Sequence, residues 1–282
     1  MHFIQWAISP WGQDVPVHIA WGLIWVAAIA GLTFLVVHAI WIRYFAKAEE
    51  FEGAPVSAGA AAVSGEVQRH SLAARLFHWV MAAAMLTLLV TAFLPKVGVA
   101  FPWVTYHWIA GLVLIASILF HLVHATFYMD FWSIWPDRTD LIDAKSRTLR
   151  FLGKPAPRPH RFAKYPFENK LYHLAIVFAG LAVACTGAFM IFRVRTPFLT
   201  RNPYLFGDMT WGMMYVLHGL AGVGLITLIT VHIYFALRPE KLVITKSMIT
   251  GSMDRDYVLQ HHDPDRWKVL PDSPRREGSA AD

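Results

Sequence analysis

Five stretches of the chain carry no Asp, Glu, Lys or Arg: Val15–Ile42, Leu76–Pro95, Val97–Met129, Leu171–Phe192 and Met209–Leu237. Each reaches or exceeds the roughly 20 apolar residues that carry a helix across a bilayer core. The third contains a turn at Gly98 and Pro102, so its helical part begins near Thr105. The pattern predicts an all-α integral membrane protein with five spans. After the first span, Gly53–Gly65 is small and low in complexity and reads as a linker. The chain then divides into an extra N-terminal transmembrane helix within 1–52, a flexible linker over 53–68, a four-helix bundle over 69–240 and a tail over 241–282.

Charge orients these spans. Segments 1–14, 95–104 and 193–208 hold 4 Lys and Arg between them, and segments 43–75, 130–170 and 238–282 hold 21. By the positive-inside rule the N-terminus lies outside and the C-terminus in the cytoplasm. The net charge of +6 is therefore an orientation signal, and nucleic-acid binding is not expected. The absence of a basic n-region and the length of the first run predict a retained span rather than a cleaved signal. Tryptophans such as Trp21, Trp41, Trp103 and Trp135 fall near span ends, as an aromatic belt does.

Composition narrows the chemistry. Charged residues make up 16% of the chain, against about 25% in soluble proteins. One cysteine, Cys185, excludes an intramolecular disulfide and a C-x-x-C-H site for covalent haem. Any haem must be held by side-chain ligands alone, and the chain has 14 histidines.

The histidines follow an internal duplication. Arg75-Leu-Phe-His78 opens the second span and Lys170-Leu-Tyr-His173 opens the fourth. The third span reads His107-Trp-Ile-Ala-Gly-Leu and then His121; the fifth reads His218-Gly-Leu-Ala-Gly-Val and then His232. Fourteen residues make almost four helical turns, which sets both histidines on one face about 21 Å apart. Two stacked cofactors inside one bundle fit that lattice. The topology puts His107 and His218 in an outer layer, and His78, His121, His173 and His232 in an inner one. A six-coordinate haem needs two ligands at one depth, so the outer pair is His107–His218. The inner layer offers four candidates, and spacing does not choose among them. A lone intramembrane histidine is as readily an interhelical hydrogen-bonder or proton relay. Gly111, Gly219 and Gly222 would either clear room for a porphyrin or allow close helix packing.

With these motifs in view, residues 66–270 resemble the formate dehydrogenase gamma-subunit family of membrane cytochromes b, related to the cytochrome b subunits of thiosulfate reductases and nickel-iron hydrogenases. The matching stretches are RHSLAARLFHW from Arg69, KYPFENKLYH before the fourth span, LHGLAGVGLITLITVHIYFA in the fifth, and TKSMITGSMDRDYVLQHHDPDRW in the tail. The resemblance implies two haems b, the outer held by His107 and His218 and the inner by His78 and His232, with His121 as the rival inner ligand. It implies a quinone site, for menaquinone or ubiquinone, along Pro166–His173. There Asn169, Lys170 and His173 are the candidates, although Pro166, Phe167 and Glu168 depart from the family's small, amide-rich stretch. Lys170 is alternatively an interfacial snorkelling lysine. Arg69 and Arg75 are candidates for haem propionates.

The expected function is that of a dihaem membrane-anchor subunit of a respiratory complex in the bacterial inner membrane. It links a docked, periplasmic redox partner to membrane quinone. That partner is an iron–sulfur subunit with its catalytic subunit, or a multihaem cytochrome c. The rival readings are a self-sufficient transmembrane reductase of the cytochrome b561 type and a histidine-dependent proton-coupled transporter.

Overall fold

The structure, a computed structural model, describes residues 3–45 and 65–267. Five helices in it are long and apolar enough to cross a membrane, with mean hydropathy between 1.9 and 2.4. Little of their surface is covered within the chain. The protein is an all-α integral membrane protein with two compact units. One comprises the described residues of 1–46, 76–128 and 174–235; the other comprises those of 47–75, 129–173 and 236–282.

The first unit opens with an antiparallel hairpin, β1 (Ile4–Ile8) and β2 (Asp14–Ile19). The first apolar run is thus divided. Its opening residues alternate as Val15, Val17 and Ile19 with Pro16 and His18 between them, a period of two that suits a strand. Only from Gly22 does the chain enter α1 (Gly22–Tyr44). The hairpin turn is closed by Ser9, whose hydroxyl accepts from the N–H groups of Trp11 (3.3 Å) and Gln13 (3.2 Å). Gly12 takes φ 76° there, a conformation side chains disfavour.

The bundle proper consists of α2 (Leu72–Phe93), α3 (Trp103–Tyr128), α5 (Phe167–Met190) and α6 (Asp208–Ala236); the intervening α4 (Arg138–Phe151) belongs to the second unit. Its core joins Ala84 and Met85 of α2, Leu114 of α3, Val183 of α5 and Leu225 of α6. The hairpin and α1 lie along α6. Ile19 and Ala27 bury against Val216 and Val223. Pro16 passes so close to Gly212 that a Cβ there would overlap the Pro16 carbonyl oxygen. Further along, Thr227 donates to the Ala27 carbonyl (3.0 Å), and His38 Nδ1 lies 3.0 Å from the Tyr234 hydroxyl.

The second unit is built from segments far apart in sequence. Strand β3 (Glu66–Gln68) pairs with β4 (Ser252–Asp254), and Val67, Met253, Val258 and Trp267 form its core with Val258 fully buried. The short helices α7 (Leu242–Thr250) and α8 (Arg255–His261) flank β4. Gly251, at φ 97°, ends α7 and accepts from the backbone of Arg69 (2.8 Å) and His70 (3.0 Å). α4 starts in a capping box, with Asp137 and Asp140 each accepting the other's backbone N–H at 2.9 Å.

His262 packs into this unit with 1% of its surface exposed and its Nδ1 2.7 Å from the Ala163 carbonyl. Burial first, and then the Arg69 guanidinium, lower its pKa to about 3, against the pull of the carbonyl. The folded unit holds a neutral ring where the unfolded chain protonates near its ordinary 6.5. Stability from this group is present above that value and is lost as pH falls from 6.5 toward 3. We expect the second unit to lose on the order of a few kcal/mol across that window. Fluorescence of the tryptophans followed against pH reads it, and His262→Gln should flatten the profile.

Candidate cofactor-binding site

The bundle brings four of the sequence-predicted histidines together in two pairs. His107 of α3 and His218 of α6 face each other with ring centroids 6.1 Å apart and planes at 65°. His78 of α2 and His232 of α6 do so at 6.4 Å and 53°. A histidine nitrogen sits about 2.0–2.1 Å from a bound transition metal, so two histidines that shared one ion would have ring centroids about 6 Å apart. Both pairs are at that spacing. His78, His107 and His218 are half-buried and His232 is exposed.

A compact apolar layer separates the pairs. Leu114 lies seven residues after His107 and seven before His121, and Leu225 stands likewise between His218 and His232. They are 2% and 1% exposed, among the most buried side chains of the bundle. Seven residues of helix advance about 10.5 Å, so each histidine layer is set off from this core by the same rise.

The surrounding residues fit a flat, iron-bearing macrocycle. Among the described residues no three His, Cys, Asp or Glu side chains gather as a metal site. Gly111 and Gly222 lie one turn beyond His107 and His218, and a Cβ on either would meet nothing within 4 Å. Gly219 serves packing instead, because a Cβ there would come within 3.2 Å of the Ile19 side chain. The buried Nδ1 of His78 has no hydrogen-bond partner among the described residues.

Two residues unnoticed in the sequence complete the His107–His218 layer. The Thr91 hydroxyl of α2 lies 2.8 Å from His107 Nδ1, and the Thr186 hydroxyl of α5 lies 2.8 Å from His218 Nδ1. Thr91 follows His78 by 13 residues and Thr186 follows His173 by 13. The duplication that begins at those histidines would have found them had it been extended along both helices.

The remaining candidates fall elsewhere. His121 stacks on Phe77 with centroids 4.4 Å apart and planes at 6°. In the second unit, Lys170 is 1% exposed, and its Nζ donates to Asp140 at 2.5 Å with Asp137 at 3.8 Å. Arg266 reaches the same two carboxylates at 3.4 and 3.3 Å. Burial alone would raise the Asp137 pKa, but the Asp140 N–H, Lys170 and Arg266 outweigh it and hold the carboxyl low. Asn169 and His173 flank Lys170 at the start of α5, His173 half-buried. Arg69 is buried, donating to the Met253 sulfur (3.1 Å) and the Lys164 carbonyl (3.2 Å), with its guanidinium 5.6 Å from the ring centroids of both Tyr165 and Trp267. Burial lowers its pKa and raises that of Tyr165. Arg75 donates to the Ile249 carbonyl.

Comparison with known proteins agrees with this chemistry. The family model described as prokaryotic cytochrome b561 matches residues 69–251, from the segment preceding α2 to the end of α7. Among curated proteins, none matches the chain.

Proposed function

The chain belongs to the prokaryotic cytochrome b561 family, a transmembrane haem b electron-transfer protein, and we propose that it holds two haems and joins a redox partner at one membrane face to the quinone pool. The observation that carries this reading is the two histidine pairs at 6.1 and 6.4 Å, one on each side of the Leu114–Leu225 layer. His107 and His218 would hold one haem, and His78 and His232 the other. Haem iron supplies a reversible one-electron couple when bound.

The chain's own residues account for the rest. The ligand pairs set the position and depth of each haem. The apolar core between them keeps water out of the bundle interior. Charge asymmetry supports a bacterial inner-membrane orientation with the His107–His218 end outside. A docked iron–sulfur subunit with its catalytic subunit, or a multihaem cytochrome c, would then meet that end. For the quinone, resemblance favours the start of α5, with Asn169 and His173 as donors. Lys170 is engaged by Asp140 and is the weaker of the three candidates. Arg69 and Arg75 already donate within the second unit, so a further role toward propionates would have to share those bonds.

The family match favours a second reading equally, a self-sufficient cytochrome b561-type reductase that needs no docked subunit. Both readings predict a Soret band and two haems per purified chain, by reduced-minus-oxidised spectra and haem quantitation. His78→Ala should lose one haem, whereas His121→Ala should keep both; the reverse result would transfer the ligand role to His121. Rapid reduction of the isolated chain by a soluble small reductant, with onward transfer to quinone, selects the self-sufficient reductase. Reduction only through a bound partner selects the membrane anchor.

A further inference from the structure

We propose that Thr91 and Thr186 are positioning residues that fix the tautomer of the His107–His218 pair: each threonine oxygen accepts the Nδ1 proton of its histidine and leaves Nε2 bare as the ligating nitrogen. This rests on the reading of that pair as haem ligands.

The hydrogen-bond inventory decides the direction. A threonine hydroxyl has one proton to give. Thr91 Oγ1 lies 2.7 Å from the Thr87 carbonyl and 3.1 Å from that of Leu88. Thr186 Oγ1 lies 2.5 Å from the Ala182 carbonyl and 3.3 Å from that of Val183. These bonds back to the preceding turn are the usual place for the proton of a helical threonine. With it committed there, each oxygen can only accept from the imidazole 2.8 Å away. A neutral imidazole carries one N–H, so donating from Nδ1 leaves the Nε2 lone pair free.

Two further features support the assignment. Thr91 and Thr186 are 3% and 6% exposed, so the oxygen is shielded from competing water. The device is also built twice, with α2 holding the histidine of α3 and α5 holding that of α6. Beside Thr186, Gly187 leaves the ring room, since a Cβ there would lie 3.4 Å from His218 Cε1.

An Nδ1–H that donates to an acceptor raises the basicity of the ligating nitrogen and steadies the ring. A more basic ligand favours ferric over ferrous iron and lowers the potential of that haem. Thr91→Val and Thr186→Val keep the shape and remove the hydroxyl acceptor, leaving the carbonyls of Leu88 and Val183 beside the two rings. Redox titration of the purified full chain should show one haem, and only one, shifted about tenfold toward the reduced form in each variant, or about 59 mV for one electron. The low-spin EPR signal of the same haem should move with it. Thr91→Ser and Thr186→Ser should restore both readouts. Loss of that haem in the valine variants but not in the serine variants also supports the proposal.

Unmoved potentials and EPR signals in both valine variants overturn it, as do serine variants that shift or lose haem as the valine ones do. His107→Ala and His218→Ala separate the two failures. If either keeps both haems, the ligand reading fails and the proposal falls with it. If each loses one haem while the valine variants stay at the parental potential, the positioning role alone is wrong.

Discussion

His107→Ala and His218→Ala are each expected to reduce the haem content of the purified chain from two to one. The two rings stand at the spacing that a shared iron would require, with centroids 6.1 Å apart. The other pair should survive, because the Leu114–Leu225 layer separates them and a change at one depth leaves the other rings seated. Quinone-linked electron transfer should fall by at least about 100-fold, since removing even an outer-shell partner commonly costs 10–100-fold. Haem quantitation with a resolved redox titration reads both effects, and the titration should show a single remaining couple. Full occupancy of both haems in either variant would rule out this pair.

The second large effect lies outside the bundle core. Asp140 accepts from Lys170 at 2.5 Å and from Arg266 at 3.4 Å, with Lys170 almost wholly removed from solvent. Asp140→Asn keeps the shape of the α4 capping box but leaves the buried Lys170 ammonium with only the more distant Asp137 carboxylate, at 3.8 Å. Breaking a buried pair from one side costs about 3–5 kcal/mol. Lys170→Met should cost less, because Asp140 retains Arg266 and its new neighbour is apolar. Thermal unfolding in detergent should rank the parent above Lys170→Met, and Lys170→Met above Asp140→Asn. Quinone reduction normalised to folded protein then tests Lys170 directly. A structural ion pair leaves the normalised rate unchanged, whereas a quinone donor loses rate even where the fold is intact. Equal stability of all three proteins would dismiss the ion pair as a stabilising element.

How much of this could be read before folding depends on the range of each interaction. The spans were legible because a bilayer demands long uncharged runs, and Gly22–Tyr44 or Asp208–Ala236 need no tertiary information to be recognised. The His-x13-His spacing was legible for the same reason, being a property of one helix. The N-terminal hairpin was hidden, because Val15–Ile19 reads as the start of an apolar run and its strand character lies only in a short alternation. The three glycines near the histidines divided on a matter no local pattern reports: Gly219 meets β2, while Gly111 and Gly222 meet open space. The partner of Lys170 lies 30 residues away on another helix, so its burial came from pairing rather than propensity. The tail motif was visible, but that Met253 would bury beside Val67 was not.

The placement of α1 against α6 has a consequence for how the protein is made. Thr227 bonds to Ala27 across 200 residues, and Gly31 packs against Thr227 and Thr230. At about 5–20 residues per second, the first span emerges about 10–40 s before its docking surface exists. It waits in the lipid with Ala27 and Gly31 uncovered. Those are small residues four apart, the spacing at which membrane helices approach each other closely. Of the five spans, the earliest in the sequence is therefore the one whose seat is completed last, and its docking marks a chain that has been synthesised through α6.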